Sequence, residues 1–242
     1  MKQAATFFDI DGTIYREGLI TEVFKKMVTY EFIEGSKWYN EVRPAFLNWD
    51  KRVGDYDTYL SKMVDIYVEA VKDIHVDQMG YVAKRVIEQK GDRVYTFTRD
   101  QIKWHKEMGN KVIAISGSPI ELVKEMSQKY GMDDYRGTIY ETTETGRYNG
   151  NVIPMWDSVS KRKAIMEMVE KYNFDLEASY AYGDTTGDLT MLKMVGHPFA
   201  INPTKELLTK IKEDEALKEK ITIIVERKDV TYRLNINQLD LI

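Results

Sequence analysis

The predicted fold depends on the stretch Ala4-Ala5-Thr6-Phe7-Phe8-Asp9-Ile10-Asp11-Gly12-Thr13, near the start of the 242-residue chain. Residues 4–8 are apolar and include two aromatics, which predicts a short buried β-strand. The strand stops at Asp9, and Gly12-Thr13 marks a turn. Because side chains i and i+2 of an extended segment point to the same side, Asp9 and Asp11 face one direction. The first candidate site is therefore an acidic loop at the end of a buried strand.

Two segments of different periodicity follow this strand. From about Arg16 to Lys90 apolar residues recur at helical spacing, which predicts a helical insertion with its own small core. Strand and helix then alternate, a pattern typical of a doubly wound parallel α/β sheet. Strands are expected at 111–115, 180–182, 199–201 and finally 221–225, and a hairpin at 137–142 and 147–153. We predict an α/β core domain from residues 1–15 and 92–242, and a helical domain over 16–91.

Three loops follow predicted strands, at residues 9–13, 116–119 and 183–188, and should open on one edge of the sheet. The last contains Asp184 and Asp188. Converging carboxylates repel, and desolvation strengthens the repulsion, so a cation or bound protons must neutralise them. Hard oxygen ligands favour Mg²⁺. If one carboxylate stays free to attack phosphorus while the ion binds a phosphate oxygen, the site is suited to phosphoryl transfer.

Other residues offer what a phosphate group needs. Ser116 carries a hydroxyl, the turn at Gly117 exposes backbone N–H groups, and a helix is expected to begin at Pro119. A second helix begins near Lys161, whose ammonium could act on both the phosphate and the nucleophilic carboxylate. Lys163 is the alternative lysine.

Taken in order, these motifs resemble the haloacid dehalogenase (HAD) superfamily of phosphohydrolases, in its phosphoserine-phosphatase-like branch. Residues 8–13 match its first motif, hydrophobic-D-x-D-G-T; residues 113–118 match the second, a strand ending in Ser; and residues 182–188 match the fourth, G-D-x-x-x-D. The third motif is a lysine. Lys161 precedes Asp184 by 23 residues, an interval similar to the one in the family. The resemblance implies a Rossmann-like core with a helical first-position cap, subfamily I, at residues 16–91.

The resemblance also implies roles. Asp9 is the nucleophile that forms an aspartyl-phosphate, and Asp11 is the general acid/base that protonates the leaving alkoxide and later deprotonates water. Mg²⁺ is held by the Asp9 carboxylate, the Asp11 backbone carbonyl and Asp184. Asp188 either binds the ion through a metal-bound water or orients Lys161. The phosphoryl group is held by Asp11, Gly12, Ser116, Gly117 and Lys161.

The resemblance implies a Mg²⁺-dependent phosphomonoester hydrolase acting on a small phosphorylated metabolite. Phosphoserine phosphatases use a Glu shortly after the first motif and an Arg in the cap. Here residues 15–18 read Tyr-Arg-Glu-Gly without an acid at the aligned position, and the stretch 55–64 offers Ser61 or Lys62. These differences argue against phosphoserine as the substrate. A phosphotransferase or phosphomutase with the same nucleophile stays an alternative, as does a non-catalytic phospho-acceptor or binding protein.

Composition excludes several classes. The chain has 35 Lys+Arg against 39 Asp+Glu, so it lacks a positive field for nucleic acid. It has no Cys, which removes disulfides, thiolate metal sites and Cys nucleophiles. No run approaches the ~18–20 apolar residues of a membrane span, and acids at positions 9 and 11 argue against a signal peptide. We expect a cytoplasmic protein whose partner is a small-molecule phosphate ester; the sequence does not indicate its oligomeric state.

Overall fold

A single mixed sheet lies at the centre of the computed structural model, which describes residues 2–241 except for the side chains of Tyr56 and Asp57. The strands are β1 Ala5–Phe8, β2 Lys111–Pro119, β3 Asp134–Thr142, β4 Tyr148–Ile153, β5 Tyr180–Gly183, β6 His197–Ile201, β7 Thr222–Arg227 and β8 Val230–Leu234. In the described chain their order is β4-β3-β2-β1-β5-β6-β7-β8. The six central strands are parallel, and β4 and β8 add antiparallel edges. The predicted α/β class and parallel sheet are confirmed.

Helices cover both faces of this sheet and form the insertion after β1. The insertion contains α1 Leu19–Thr29, α2 Gly35–Lys37, a π-helical turn Trp38–Val42, α3 Arg43–Asp50, α4 Tyr56–Val71 and α5 Val76–Lys90. The remaining helices are α6 Thr96–Glu107, α7 Ile120–Tyr130, α8 Ser158–Tyr172, α9 Leu189–Met194, α10 Lys205–Glu213 and α11 Glu215–Lys220. The predicted helical insertion after the first strand is confirmed. Its division into a separate domain over 16–91 stays a prediction.

Buried side chains form two clusters, one on each face of the sheet, because neighbouring residues of a strand point to opposite faces. On β1, Phe7 belongs to one cluster and Phe8 to the other. Buried residues of the helical insertion, such as Tyr59 and Met63, lie in the same cluster as Phe8. The insertion therefore shares its core with one face of the sheet, unlike the separate small core that its periodicity suggested.

Aromatic stacking holds the central strands together just below the candidate site. Tyr182 of β5 stacks on Phe8 of β1 with ring centroids 4.3 Å apart, and on Phe199 of β6 at 4.8 Å. Each such pair contributes about 0.5–1.5 kcal/mol beyond its buried area. The Tyr182 hydroxyl lies 2.9 Å from Nε2 of the fully buried His105 on α6. Burial lowers the pKa of His105 from 6.5 to about 4, so its ring is neutral at pH 7.

The chain enters and leaves the helical insertion through two adjacent segments. Tyr15 forms an antiparallel bridge with Val94, and the Tyr95 N–H donates to the carbonyl of Ile14 at 2.9 Å. Arg93 and Glu17 form an ion pair at 2.7 Å across the same junction. The insertion is thus anchored close to the loop that follows β1.

The structure corrects two secondary-structure predictions. Residues 116–119 were expected to be a loop, but β2 continues through Pro119, which pairs with Thr138 after an irregularity in the ladder. The strand at 221–225 was expected to be the last, but β8 follows it as an antiparallel partner of β7. Residues 230–234 alternate apolar and polar side chains, a strand signal that the prediction did not use, and residues 230–233 are exposed because β8 is an edge strand.

Candidate active site

Three carboxylates and one ammonium group meet at the carboxyl ends of β1 and β5. Asp9, Asp184 and Asp188 each offer an oxygen atom within 4.8 Å of the others. Lys161 places its Nζ 2.6 Å from Oδ1 of Asp9 and 2.6 Å from Oδ1 of Asp188. All four side chains are buried, and Asp188 is fully inaccessible. Two sequence motifs and a distant lysine, predicted to converge, therefore lie together.

Parallel pairing brings the first two carboxylates together. Phe8 lies opposite Tyr182 in the ladder between β1 and β5, and the Asp9 N–H donates to the Tyr182 carbonyl at 2.9 Å. Asp9 and Asp184 therefore follow the ends of neighbouring strands. Thr13 donates its hydroxyl to Oδ1 of Asp184 at 3.0 Å and ties the two loops together.

Gly12 allows this close approach of the two loops. Its φ is +79°, a backbone region that favours glycine, and a Cβ built there would lie 2.0 Å from Oδ2 of Asp184. Its N–H donates to the carbonyl of Tyr15 at 2.8 Å. The structure thus explains why this residue is glycine, while a phosphate contact by Gly12 stays a prediction.

Asp188 orients the neighbouring groups as well as carrying charge. Its Oδ2 accepts hydrogen bonds from the backbone N–H groups of Asp184 at 3.0 Å and Thr185 at 3.2 Å. Its Oδ1 contacts Lys161. Asp188 therefore fixes the loop that bears Asp184 and the position of the lysine at once.

The electrostatics of the cluster follow from burial. Desolvation raises the pKa of Asp9 from 3.8 to about 8; Lys161 opposes this shift, whereas Asp188 and Asp11 add to it. Burial, with Asp9 and Asp188 nearby, also raises the pKa of Asp184 well above its usual value. Burial lowers the pKa of Lys161, but Asp188 and Asp9 outweigh this and raise it, so the ammonium keeps its proton. Without a metal, the cluster holds more negative charge than Lys161 can neutralise, which favours bound protons.

The two candidate lysines occupy different environments. Asp157 caps α8, accepting from the N–H groups of Val159 and Ser160 at 2.9 Å each. Lys161 lies in the first turn of this helix and points into the site, whereas Lys163 is exposed. Geometry therefore places Lys161, and not Lys163, beside Asp9.

Asp11 lies in the same loop but has its own hydrogen-bond partners. Its Oδ1 accepts from the backbone N–H of Leu19 at 2.7 Å, at the start of α1. Its Oδ2 accepts from the hydroxyls of Ser118 at 2.6 Å and Ser116 at 3.3 Å. Burial raises the pKa of Asp11, although these three donors act in the opposite direction. The Asp11 carboxylate thus connects the first helix of the insertion to the end of β2.

Two residues of the site were not among the predicted site residues. Ser118 makes a shorter hydrogen bond to Asp11 than the predicted Ser116 does, and its backbone N–H donates to Ser116 Oγ at 3.1 Å. Thr13 holds Asp184. Both lie inside stretches already quoted as motifs, so their position in the motif was the available signal. Nothing in the sequence said where their hydroxyls point.

The predicted turn at Gly117 lies in the irregular part of β2, between Ile115 and Pro119, and is tightly packed. A Cβ built on Gly117 would lie 2.8 Å from Cβ of Trp156, and the Gly117 carbonyl accepts the hydroxyl of Thr138 at 2.7 Å. Ser116 is fully buried beside this turn. The structure therefore brings the end of β2, with both predicted phosphate ligands, to the same edge as the acids.

The donor set of the cluster is suited to a hard divalent cation. Its ligand atoms are carboxylate oxygens, which Mg²⁺ prefers, and they are close enough together for one ion to reach all three. Burial raises the pKa of both Asp9 and Asp184, and the neighbouring carboxylates add to the shift; a bound cation would offset this negative charge. Asp9, Asp184 and Asp188 could therefore hold a metal ion.

A separate observation concerns membranes. Among the helices that the structure describes, none combines the length and the apolar character that crossing a bilayer requires.

Comparisons with known proteins agree with this geometry. The haloacid dehalogenase-like hydrolase family profile matches residues 6–193. The chain is 26% identical over 211 residues to the inhibition of morphological differentiation protein of Streptomyces azureus, covering 86% of this chain and 74% of that protein. It is 28% identical over 125 residues to a phosphoserine phosphatase of Mycobacterium tuberculosis, covering 50% of this chain and 40% of that protein.

A solved structure shows the same fold. A phosphoserine phosphatase with a phospho-aspartyl intermediate analogue superposes with a TM-score of 0.57 and 20% identity, covering 95% of this chain and 96% of the other. The family match spans both the acidic loop after β1 and the loop carrying Asp184 and Asp188. The chain therefore belongs to the haloacid dehalogenase-like hydrolases, and its fold is similar to that of a phosphoserine phosphatase.

Proposed function

We propose that this protein is a Mg²⁺-dependent phosphomonoester hydrolase that works through an aspartyl-phosphate on Asp9. The observation that carries the proposal is the contact of Lys161 with both Asp9 and Asp188 inside a buried acidic cluster. A structural ion pair needs one carboxylate and one ammonium, whereas this cluster brings three carboxylates together with one ammonium that contacts two of them. Such an excess of negative charge is costly and is typical of a metal-assisted site.

In the proposed first step, Asp9 attacks the phosphorus atom of the ester. Lys161 donates a hydrogen bond to Oδ1 of Asp9. No side chain that the structure describes donates one to Oδ2, so Oδ2 is the proposed attacking atom. The bond from phosphorus to the leaving oxygen breaks as the bond from Asp9 to phosphorus forms. Lys161 stays protonated and stabilises negative charge on the transferring group.

Asp11 is proposed to move the proton in both steps. Its raised pKa favours a protonated carboxyl that can donate to the departing alkoxide. The resulting Asp11 carboxylate then accepts a proton from the water that attacks the phospho-Asp9. This attack releases inorganic phosphate and regenerates the Asp9 carboxylate and the protonated Asp11. The hydroxyls of Ser116 and Ser118, which contact Asp11, would hold it during these transfers.

Mg²⁺ would be held by Asp9, Asp184 and Asp188, together with the backbone carbonyl of Asp11. When bound, the ion supplies positive charge that offsets these carboxylates and polarises the phosphoryl group. Ser116 and the backbone at Gly117 would hold the phosphoryl oxygens on the opposite side.

The helical insertion, residues 16–91, is proposed to act as a cap over the candidate active site. Asp9 is 5% exposed and Ser116 is fully buried, so substrate entry requires the insertion to move away from the sheet edge. The contact between Leu19 and Asp11 is one of the contacts that would break and re-form. Closure would exclude water from competing with the leaving group.

The substrate is proposed to be a small phosphorylated metabolite. The similarity to phosphoserine phosphatases supports phosphate-ester chemistry. The stretch 15–18, however, lacks an acid at the position aligned with the Glu of those enzymes. Phosphoserine is therefore one member of the panel to be tested and not the expected optimum.

The test is phosphate release from a panel of monophosphates, with and without Mg²⁺, by wild type and two variants. We expect Asp9→Asn to abolish turnover but to change the unfolding midpoint little, because Lys161 keeps its pair with Asp188 and one of three repelling carboxylates is removed. Asp65→Asn, the same change on an exposed helical residue, should keep wild-type turnover. Retained turnover in Asp9→Asn would mean that the nucleophile is another residue. Transfer to an added alcohol without net phosphate release would identify a phosphotransferase instead.

A further inference from the structure

Trp156, in the loop between β4 and α8, lies against both ligand-bearing loops of the candidate site. A Cβ built on Gly117 would lie 2.8 Å from Cβ of Trp156, and one built on Gly187 would lie 2.6 Å from its carbonyl oxygen. Gly117 follows Ser116, and Gly187 lies between Asp184 and Asp188. The tryptophan therefore begins between the proposed phosphate-binding turn and the metal-binding loop.

The backbone around Trp156 is held on both sides. Thr138, fully buried on β3, donates its hydroxyl to the Gly117 carbonyl at 2.7 Å and accepts the N–H of Met155 at 3.2 Å. On the other side, Asp157 caps α8, and its backbone carbonyl accepts the N–H of Lys161 at 3.1 Å. The loop is thus anchored to the phosphate-binding turn and to the helix that carries the lysine, which fixes Trp156 relative to both.

The exposed half of the indole has no partner among the residues that the structure describes. Half of Trp156 is exposed, and its ring makes no ring contact and no hydrogen bond with the residues that the structure describes. Large aromatic side chains are normally buried or paired, because their apolar area gives the largest gain when it leaves water. The half-exposed indole therefore begins at a rigid point beside Gly117 and offers apolar area to a molecule bound there.

We propose that Trp156 is a specificity-determining residue that packs against the leaving group of the substrate. This inference rests on the proposed function, because it places the phosphoryl group at Ser116 and Gly117. Because Cβ of Trp156 lies against Gly117, an ester bound at that turn would have its organic part within reach of the indole. The ring would favour phosphate esters whose leaving group carries a flat aromatic or apolar face, and it would give small aliphatic esters little.

The experiment measures binding of phenylphosphonate and methylphosphonate by calorimetry in the presence of Mg²⁺. Both probes carry the same head group and resist hydrolysis, so the ratio of their affinities reports contact with the phenyl ring. We expect wild type to bind phenylphosphonate about tenfold more tightly, the size of one good aromatic contact. In Trp156→Ala the ratio should fall below about threefold, whereas Trp156→Phe, which keeps a flat ring, should retain most of it.

Val159→Ala is the matched control, because Val159 is an exposed apolar residue three positions along the chain, 76% accessible. It should leave the ratio unchanged. The inference is overturned if Trp156→Ala keeps the tenfold ratio, or if wild type shows no preference or binds neither probe. A phenyl preference that depends on Trp156, without phosphate release from phenyl phosphate, would contradict the proposed function and leave only the ring contact of Trp156 supported.

Discussion

Replacing Lys161 by Met should destabilise the metal-free protein strongly and in a pH-dependent way. The ammonium group is buried and lies 2.6 Å from each of Asp9 and Asp188. Methionine keeps a similar unbranched side chain but removes the positive charge. Three carboxylates would then share one buried site without a cation.

The magnitude follows from the cost of leaving buried charge unpaired. Removing one partner of a buried ion pair costs about 3–5 kcal/mol, and the burial of these groups leaves little solvent to screen the loss. For a chain of this length, that corresponds to a fall of roughly 6–20 °C in Tm. Lys163→Met, an exposed change of the same type two residues away, should stay within about 0.5 kcal/mol of wild type.

The pH dependence separates an electrostatic cause from a packing cause. The carboxylates of Asp9 and Asp184 already have raised pKa values, and losing Lys161 would raise them further. Groups whose pKa is raised on folding take up protons at low pH, which relieves the repulsion. The cost of Lys161→Met should therefore be smaller at pH 5 than at pH 8, and saturating Mg²⁺ should recover part of it.

The assay is urea unfolding of wild type, Lys161→Met and Lys163→Met at both pH values, with and without Mg²⁺, after removal of metal by a chelator. Equal losses in the two variants would refute the reasoning. So would a Lys161→Met cost that does not change between pH 5 and pH 8, because this would point to packing and not to charge.

Three further predictions concern proton transfer and ionisation. Asp11→Asn should slow hydrolysis of alkyl phosphates far more than hydrolysis of p-nitrophenyl phosphate, because the p-nitrophenolate leaving group needs little protonation. Steady-state rates on both substrates test this, and equal losses of rate would argue against an acid role for Asp11. Because Asp9 must lose the proton favoured by its raised pKa, the affinity for Mg²⁺ should rise from pH 5 to pH 8 in calorimetric titrations, and a flat profile would contradict the shift. Burial lowers the pKa of His105 from 6.5 to about 4, so the stability that the neutral His105 ring contributes is lost as the pH falls from 6.5 to 4. In chemical denaturation, His105→Gln should therefore lose less stability than wild type over this pH range. Parallel losses in the two proteins would exclude His105 as the cause.

Local patterns were sufficient to predict the fold class. A buried strand ending in Asp9, a long helical block and then regular alternation of strand and helix leave few arrangements other than a parallel sheet with an insertion. The prediction failed where pairing with another strand decides the structure. The edge strand β8 pairs with β7, and β2 extends to residue 119 because Pro119 pairs with Thr138 of β3 after an irregularity.

The candidate site was predictable to the level of the loop. Strand ends of a parallel sheet meet at one edge, so Asp9, Ser116 and Asp184 could be assigned to one place from the sequence. The direction of a hydroxyl or an ammonium group is set by contacts between residues far apart in the chain. For this reason Ser118 was missed, although it makes a shorter hydrogen bond to Asp11 than Ser116 does.

By itself, the sequence determined the sheet, the insertion and the chemistry of the loops, because residue type and spacing act through local conformation. Tertiary structure alone decided where the Asp11 carboxylate points, that Ser118 lies closer to it than Ser116, and that Trp156 lies against Gly117. These outcomes depend on atoms brought within a few ångströms by packing of whole elements. Spacing along a chain does not encode such distances, since a one-residue change in helix start or strand register would redirect every side chain involved.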